Sequence, residues 1–156
     1  MDFDVLKRVL AALESRGVKC AIFGAVALNL HGLARFTEDL DIFIAPEEAN
    51  IDRLKLALRD VHDDPEIEHI TAGDLLGEYP AVQYNPPGGS FHLDILTRLG
   101  EAFAFADLET ERVPCQDLTV TVVTPRMLYK MKKDTIRLQD RADAELLRRR
   151  FDLEKD

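Results

Sequence analysis

Two aspartates one residue apart, Asp39 and Asp41, lead into the apolar run Leu40-Asp41-Ile42-Phe43-Ile44. The length and β-branched content of this run predict a strand. Alternation along a strand sends Leu40, Ile42 and Ile44 to the core face and both carboxylates to the other. Two carboxylates on one face repel, which raises a pKa or requires a cation between them, and a divalent metal is the usual solution. A third acid, Asp94, has a similar setting in Ser90-Phe91-His92-Leu93-Asp94-Ile95-Leu96, flanked by apolar neighbours. If the two strands lie side by side, Asp39, Asp41 and Asp94 supply oxygen ligands for one or two Mg²⁺ ions. Mg²⁺ suits such a set because it prefers oxygen donors, keeps several waters and is commonly shared with substrate phosphates. The chemistry expected is phosphoryl or nucleotidyl transfer.

The flanking elements must bring these acids together. Lys19 to Phe23 reads as a buried strand that runs into a turn at Gly24, and Val26 to Leu30 as the helix after it. The order strand, turn, helix, strand places the turn and the acids at one end of a sheet. Upstream, Val5, Leu6, Val9, Leu10 and Leu13 carry helical spacing over Phe3 to Arg16, closed by Gly17. Pro46-Glu47-Glu48 reads as an acidic helix start with proline in the first turn, continued by Ile51, Leu54, Leu56 and Leu58. Residues 62 to 79 show no decisive pattern. Ala81 to Tyr84 and Phe91 to Leu96 flank the turn-rich Asn85-Pro86-Pro87-Gly88-Gly89, which predicts a hairpin whose second arm carries Asp94. Leu118 to Val123 is a further strand, and Thr124-Pro125 a capped start for the first of two C-terminal helices. The fold class expected is α/β (α+β), a mixed sheet of about five strands flanked by helices.

Gly24-Ala25, the helix after it, Gly32, Arg35, Thr37 and Asp39-Leu40-Asp41, with Asp94 further on, resemble the DNA polymerase beta-like nucleotidyltransferase superfamily. The R-x-T-x-D-L-D run from Arg35 to Asp41 is most similar to its small bacterial and archaeal members, including the abortive-infection toxin group. The resemblance is most specific over residues 20 to 45. It implies a nucleotidyltransferase-like fold and transfer of a nucleoside monophosphate from an NTP to an acceptor, which is RNA, protein or a small molecule. It also implies that Asp39, Asp41 and Asp94 are both metal ligands and catalytic residues. Gly24, Ala25, Arg35, Thr37 and Lys130 are the nucleotide contacts, with Asp140 a further candidate. Tyr129, Lys133, Arg137 and Asp143 belong to the same resemblance, to C-terminal Lys and Asp positions placed over the triphosphate.

One position departs from the family pattern. The first turn is usually Gly-Gly or Gly-Ser, whereas Ala25 here supplies no hydroxyl. Backbone N–H groups at the turn and the helix start remain available to a phosphate. The departure, with the minimal length, motivates the alternative of a non-catalytic domain that binds a nucleotide or a partner protein.

Composition sets the outer bounds. A chain of 156 residues is expected to form a single domain over 1 to 156, too short for a large second domain that selects the acceptor. The fractions of 46% hydrophobic and 31% charged residues are those of a soluble globular protein. A formal net charge of −9 disfavours strong nonspecific binding to nucleic acid. Arg137, Arg141 and Arg148-Arg149-Arg150 concentrate positive charge near the C-terminus, read first as a solvated helix face and second as a steering patch for an anion. No apolar stretch approaches the roughly 20 residues of a membrane span, and Met1-Asp2-Phe3-Asp4 is unlike a secretory signal. Cys20 and Cys115 form neither a disulfide framework nor a metal-ligand spacing and are expected to be reduced, in the cytoplasm. The histidines His31, His62, His69 and His92 give no zinc signature, and packing or surface roles are expected, with His92 nearest the acids. The partners expected are an NTP, an unidentified acceptor and, for a toxin, a partner protein, with no membrane.

Overall fold

The computed structural model describes residues 1–89, 91–135 and 137–153; Ser90, placed above at the head of the Asp94 strand, lies outside them. The chain begins with α1 (Phe3–Ser15), capped by the Asp2 carboxylate, which accepts from the Asp4 and Val5 N–H groups. Then come β1 (Cys20–Phe23), α2 (Gly24–Leu30) and β2 (Asp39–Ile44). Helix α3 (Glu48–Val61) follows. Pro46 sits ahead of the Glu47 cap, not inside the first turn as the sequence suggested. Ile51, Leu54, Ala57 and Leu58 form the buried stripe of α3, while Leu56 points outward. The helical period places Leu56 off the face that Leu54 and Leu58 share.

The undecided stretch folds as a 3-10 turn (Pro65–His69) capped by Asp64 and the short α4 (Ala72–Leu75) capped by Thr71. Ile67, Ile70 and Leu75 anchor it in the core. The expected hairpin forms from β3 (Ala81–Tyr84) and β4 (His92–Leu96), with Tyr84 opposite Leu93 and Ala81 opposite Leu96. A second, small hairpin of β5 (Arg98–Leu99) and β6 (Phe103–Ala104) comes next. Strands β7 (Thr110–Cys115) and β8 (Leu118–Val123) and helices α5 (Pro125–Lys132) and α6 (Leu138–Arg150) complete the order.

The main sheet has six strands in the order β3-β4-β2-β1-β8-β7. Strand β1 is antiparallel to β2 and parallel to β8, and β2 is parallel to β4. Strand β7 was not foreseen because its sequence, Thr-Glu-Arg-Val-Pro-Cys, is polar and contains proline. Those features suit an edge strand with one partner, where charge and Pro114 discourage further pairing. At the opposite end of β1 and β2, the buried Asn50 amide accepts from the Lys19 N–H at 2.7 Å and donates to the Lys19 and Ala45 carbonyls at 3.0 and 3.2 Å. This satisfied amide ties α3 to both central strands and fixes the frame from which the acids project.

Candidate active site

Strand β2 alternates only in its first half. Leu40 and Ile42 are buried and Asp39 and Asp41 are half-buried, but Phe43 and Ile44 are both fully buried. Phe43 therefore continues the acid face into the core, where its ring packs on Phe23 with centroids 4.9 Å apart. Asp41 stands where water gives way to hydrocarbon.

The parallel pairing of β2 with β4 sets Asp41 beside Asp94 and Asp39 beside His92. Burial pushes the Asp41 carboxyl up to about 7, helped by the charge of Asp94, a hydrogen bond with it, and the charge of Asp39, while Lys132 pulls the other way. Asp94 is held from the other side by the Gln83 amide, whose Nε2 donates to Oδ1 at 3.1 Å from the facing position on β3. Among the described residues no three His, Cys, Asp or Glu side chains are gathered into one ion-sized cluster. The acids meet as a pair, Asp41 with Asp94, and Asp39 stands one pleat away on the same face.

Gly24 leads from β1 into α2 with φ +69°, in the left-handed region. A Cβ there would lie 2.1 Å from Asp41 Oδ2. The glycine was expected because a phosphate approaches the turn; the structure shows that the Asp41 carboxylate already fills the space a side chain would need. Ala25 follows it in the first turn of α2, half-buried.

Thr37 and Arg35 act through the loop before β2. Thr37 Oγ1 accepts from the Asp39 N–H at 3.0 Å, a local turn that starts the strand at the first acid. Arg35 donates its backbone N–H to Asn29 Oδ1 at 2.8 Å and sets its Nε 3.5 Å from Asp143 Oδ1. Neither side chain lines the cavity over Asp41; both line a separate apolar cavity of 350 Å³ beside α1 and α2.

The cavity over Asp41 has a volume of 580 Å³, with Gly24 and Phe23 on one side and Leu99, Gly100 and Phe103 of the small hairpin on another. Its cations are Lys132 and Arg137. Lys130 is exposed on α5 and does not line it. Lys132 Nζ is 3.2 Å from Asp140 Oδ1 and 3.2 Å from Asp143 Oδ2. Asp143 is only 1% exposed and also accepts from Gln139 Nε2 at 2.9 Å. One buried carboxylate thus holds both Lys132 and the Arg35 loop. The sequence reading passed over Lys132, and helical spacing does not choose between the two lysines: Lys130 lies three residues after the buried Met127 and Lys132 four after the buried Leu128.

The remaining candidates have structural partners. His31 Nε2 lies 2.8 Å from the Val123 carbonyl oxygen at the end of β8. His92 Nδ1 lies 2.6 Å from Asn85 Oδ1 across the hairpin. Arg148 and Arg149 both pair with Glu145 on α6, as a solvated helix face would. Cys20 and Cys115 are free thiols, and burial pushes that of Cys20 up to about 12, far from a reactive thiolate. No helix among the described residues is long and apolar enough to cross a membrane.

Solved structures similar to this fold include proteins described as nucleotidyltransferases. A Thermotoga maritima protein described as a candidate nucleotidyltransferase (TM1012) superposes with a TM-score of 0.59 at 15% identity, covering 96% of this chain and 92% of its own. The enzyme ANT(2'')-Ia, in complex with adenylyl-2''-tobramycin, gives 0.59 at 12% identity, over 96% and 90% of the two chains. An antigenic nucleotidyltransferase-like protein from Paracoccidioides brasiliensis gives 0.51 at 18%, over 92% and 74%. No curated protein matches the sequence. The family described as "Nucleotidyl transferase AbiEii toxin, Type IV TA system" matches residues 6–149, nearly the whole chain and every acid and cation of the site, and this protein belongs to it.

Proposed function

We propose that this nucleotidyltransferase uses Mg²⁺ to move a nucleoside monophosphate from an NTP to a hydroxyl group of an acceptor. The observation that carries the reading is the Asp41 and Asp94 pair, in register on parallel strands, beneath a cavity whose cations are Lys132 and Arg137. The donor set fits a hard divalent ion. Burial raises the Asp41 carboxyl first and the charges of Asp94 and Asp39 raise it further, and a cation would relieve their repulsion. Asp41 and Asp94 would hold the ion, with Asp39 completing the set from the same face; once bound, Mg²⁺ supplies charge neutralisation at the phosphates.

The chain's own groups do the rest. Lys132, drawn from its contacts with Asp140 and Asp143, binds the triphosphate together with Arg137, and Gly24 lines the same cavity with Ala25 next to it in the first turn of α2. The acceptor oxygen forms a bond to the α-phosphorus, the bond from that phosphorus to the β-phosphate breaks, and pyrophosphate leaves with the electron pair. Asp94 takes the acceptor's proton, and Gln83 keeps its carboxylate oriented for this. Phe23, Phe43 and Phe103 limit water around the reacting centre. Incubation with α-labelled NTP, Mg²⁺ and a cell extract tests the reading. Label should move to an acceptor, stop in EDTA, and stop in Asp41→Asn while that variant remains folded; retained transfer in Asp41→Asn would exclude the metal role of Asp41.

The family's toxin description supports a second layer of the same reading, that the transfer restrains growth and is countered by a partner protein. An NTP-consuming reaction is consistent with the cytoplasm, where triphosphates are made. Induced expression should slow growth for the wild type but not for Asp41→Asn, and equal slowing by both would separate any toxicity from nucleotidyl transfer.

A further inference from the structure

The 350 Å³ cavity beside α1 and α2 stands apart from the nucleotidyl-transfer centre: none of its lining residues lines the cavity over Asp41. Leu6, Leu10 and Val26 are buried beneath it. Phe3 and Phe36, 71% and 79% exposed, line it from the solvent side. Apolar surface left open in a concave place marks a binding site. Among the described residues that line it there is no Asp or Glu, and its one charged side chain is Arg35.

The other polar groups of the wall are engaged: the Asn29 oxygen accepts from the Arg35 N–H and the Thr37 hydroxyl accepts from the Asp39 N–H. The Arg35 guanidinium is under-bonded. Its Nε is buried without a hydrogen-bond partner, 3.5 Å from Asp143 Oδ1, and its Nη1 donates to the Phe36 carbonyl over a long 3.3 Å. Asp143 neutralises it only in part, because that carboxylate also faces Lys132 and Gln139. A guanidinium offers five donors in a planar fork that a carboxylate matches with two parallel bonds.

A polyphosphate or a nucleic-acid backbone needs several cations and gains nothing from hydrocarbon walls. A neutral hydrocarbon would cover the guanidinium without giving it an acceptor. An anion with an apolar body satisfies both. We infer that this cavity binds a small apolar carboxylate, its chain among Leu6, Leu10, Val26 and Leu30 and its head group on the Arg35 fork. At about 30 Å³ per non-hydrogen atom, the space a water molecule takes, the cavity holds about twelve such atoms, the size of decanoate.

Calorimetry at physiological salt, below micelle-forming concentrations, tests the site. The probes are decanoate, decanol with the chain but no charge, and acetate with the charge but no chain. Decanoate should bind in one saturable step, at least about tenfold tighter than either. Arg35→Gln should weaken decanoate about tenfold or more and leave decanol within about twofold, which shows that the cavity is intact; Leu30→Trp, which fills the cavity, should weaken both. Arg137→Ala, which removes a cation from the cavity over Asp41, should change neither. Decanol or acetate binding as tightly as decanoate, equal loss of decanol and decanoate in Arg35→Gln, no effect of Leu30→Trp, or a loss in Arg137→Ala equal to that in Arg35→Gln would overturn the assignment. So would a dimer in sedimentation that Leu30→Trp dissociates, because a second copy of the chain would then be the occupant.

Discussion

Asp41→Asn should make the metal-free protein more stable at neutral pH, and by an amount that depends on pH. In the unfolded chain the Asp41 carboxyl titrates near its ordinary value of 3.8; in the fold it is raised to about 7 by burial and by Asp94. Between those values the folded state keeps a proton that the unfolded state has lost. The stability this contributes is therefore fully present below about pH 3.8 and is lost as pH rises to about 7. At about 1.4 kcal/mol per pH unit the full span corresponds to roughly 4 kcal/mol, and because Asp41 is only half-buried we expect about 2–4 kcal/mol. Asparagine carries no charge to desolvate and its amide can still donate to Asp94. For a domain of this size the gain corresponds to a Tm about 5–10 °C higher at pH 8, shrinking toward zero at pH 4. Thermal and urea unfolding of both proteins in EDTA at pH 4, 6 and 8 measures the difference. Other titrating groups largely cancel when one protein is subtracted from the other. A variant no more stable than wild type at pH 8, or a difference that does not change with pH, would refute the argument that Asp41 is held against burial and the charge of Asp94. Added Mg²⁺ should then favour the wild type, because only its carboxylate gains from the ion.

Gly24→Ala meets both a left-handed backbone and the Asp41 carboxylate, so urea unfolding should show a loss of about 1–3 kcal/mol and nucleotidyl transfer should fall with it. Lys132→Ala should raise the KM for NTP by about tenfold or more, while Lys130→Ala on the exposed side of α5 should stay within about twofold, as steady-state kinetics would show. Asp143→Ala leaves Lys132 with Asp140 alone and strands Arg35, which should cost about 3 kcal/mol by denaturation; Asp143→Asn, which keeps the hydrogen bond to Gln139 but not the charge, should cost less. Gln83→Ala should lower kcat with little change in the Tm, since Gln83 is exposed and its side chain donates to Asp94.

The sequence carried the parts of this protein whose signals are local. Apolar and β-branched runs placed β1, β2, β4 and β8, helical spacing placed α1 and α3, and the turn residues placed the β3–β4 hairpin, because each such pattern reflects a local demand of the element. The run from Arg35 to Asp41 and the later Asp94 were legible as chemistry because charged residues on buried strands need a reason. An edge strand has no such requirement, so polar β7 was silent, as were the short capped turns between 62 and 79. Tertiary structure alone decided the relations between elements. Only the parallel register of β2 with β4 sets Asp41 beside Asp94 and Asp39 beside His92. Only the rotation of α5 over the cavity chooses Lys132 above Lys130, and only the packing of α6 turns Asp143 into the anchor for Lys132 and Arg35. Gly24 was marked as special by its type, but its neighbour is a contact across the sheet between residues seventeen positions apart, in which the fold leaves room for Asp41 by leaving out a Cβ.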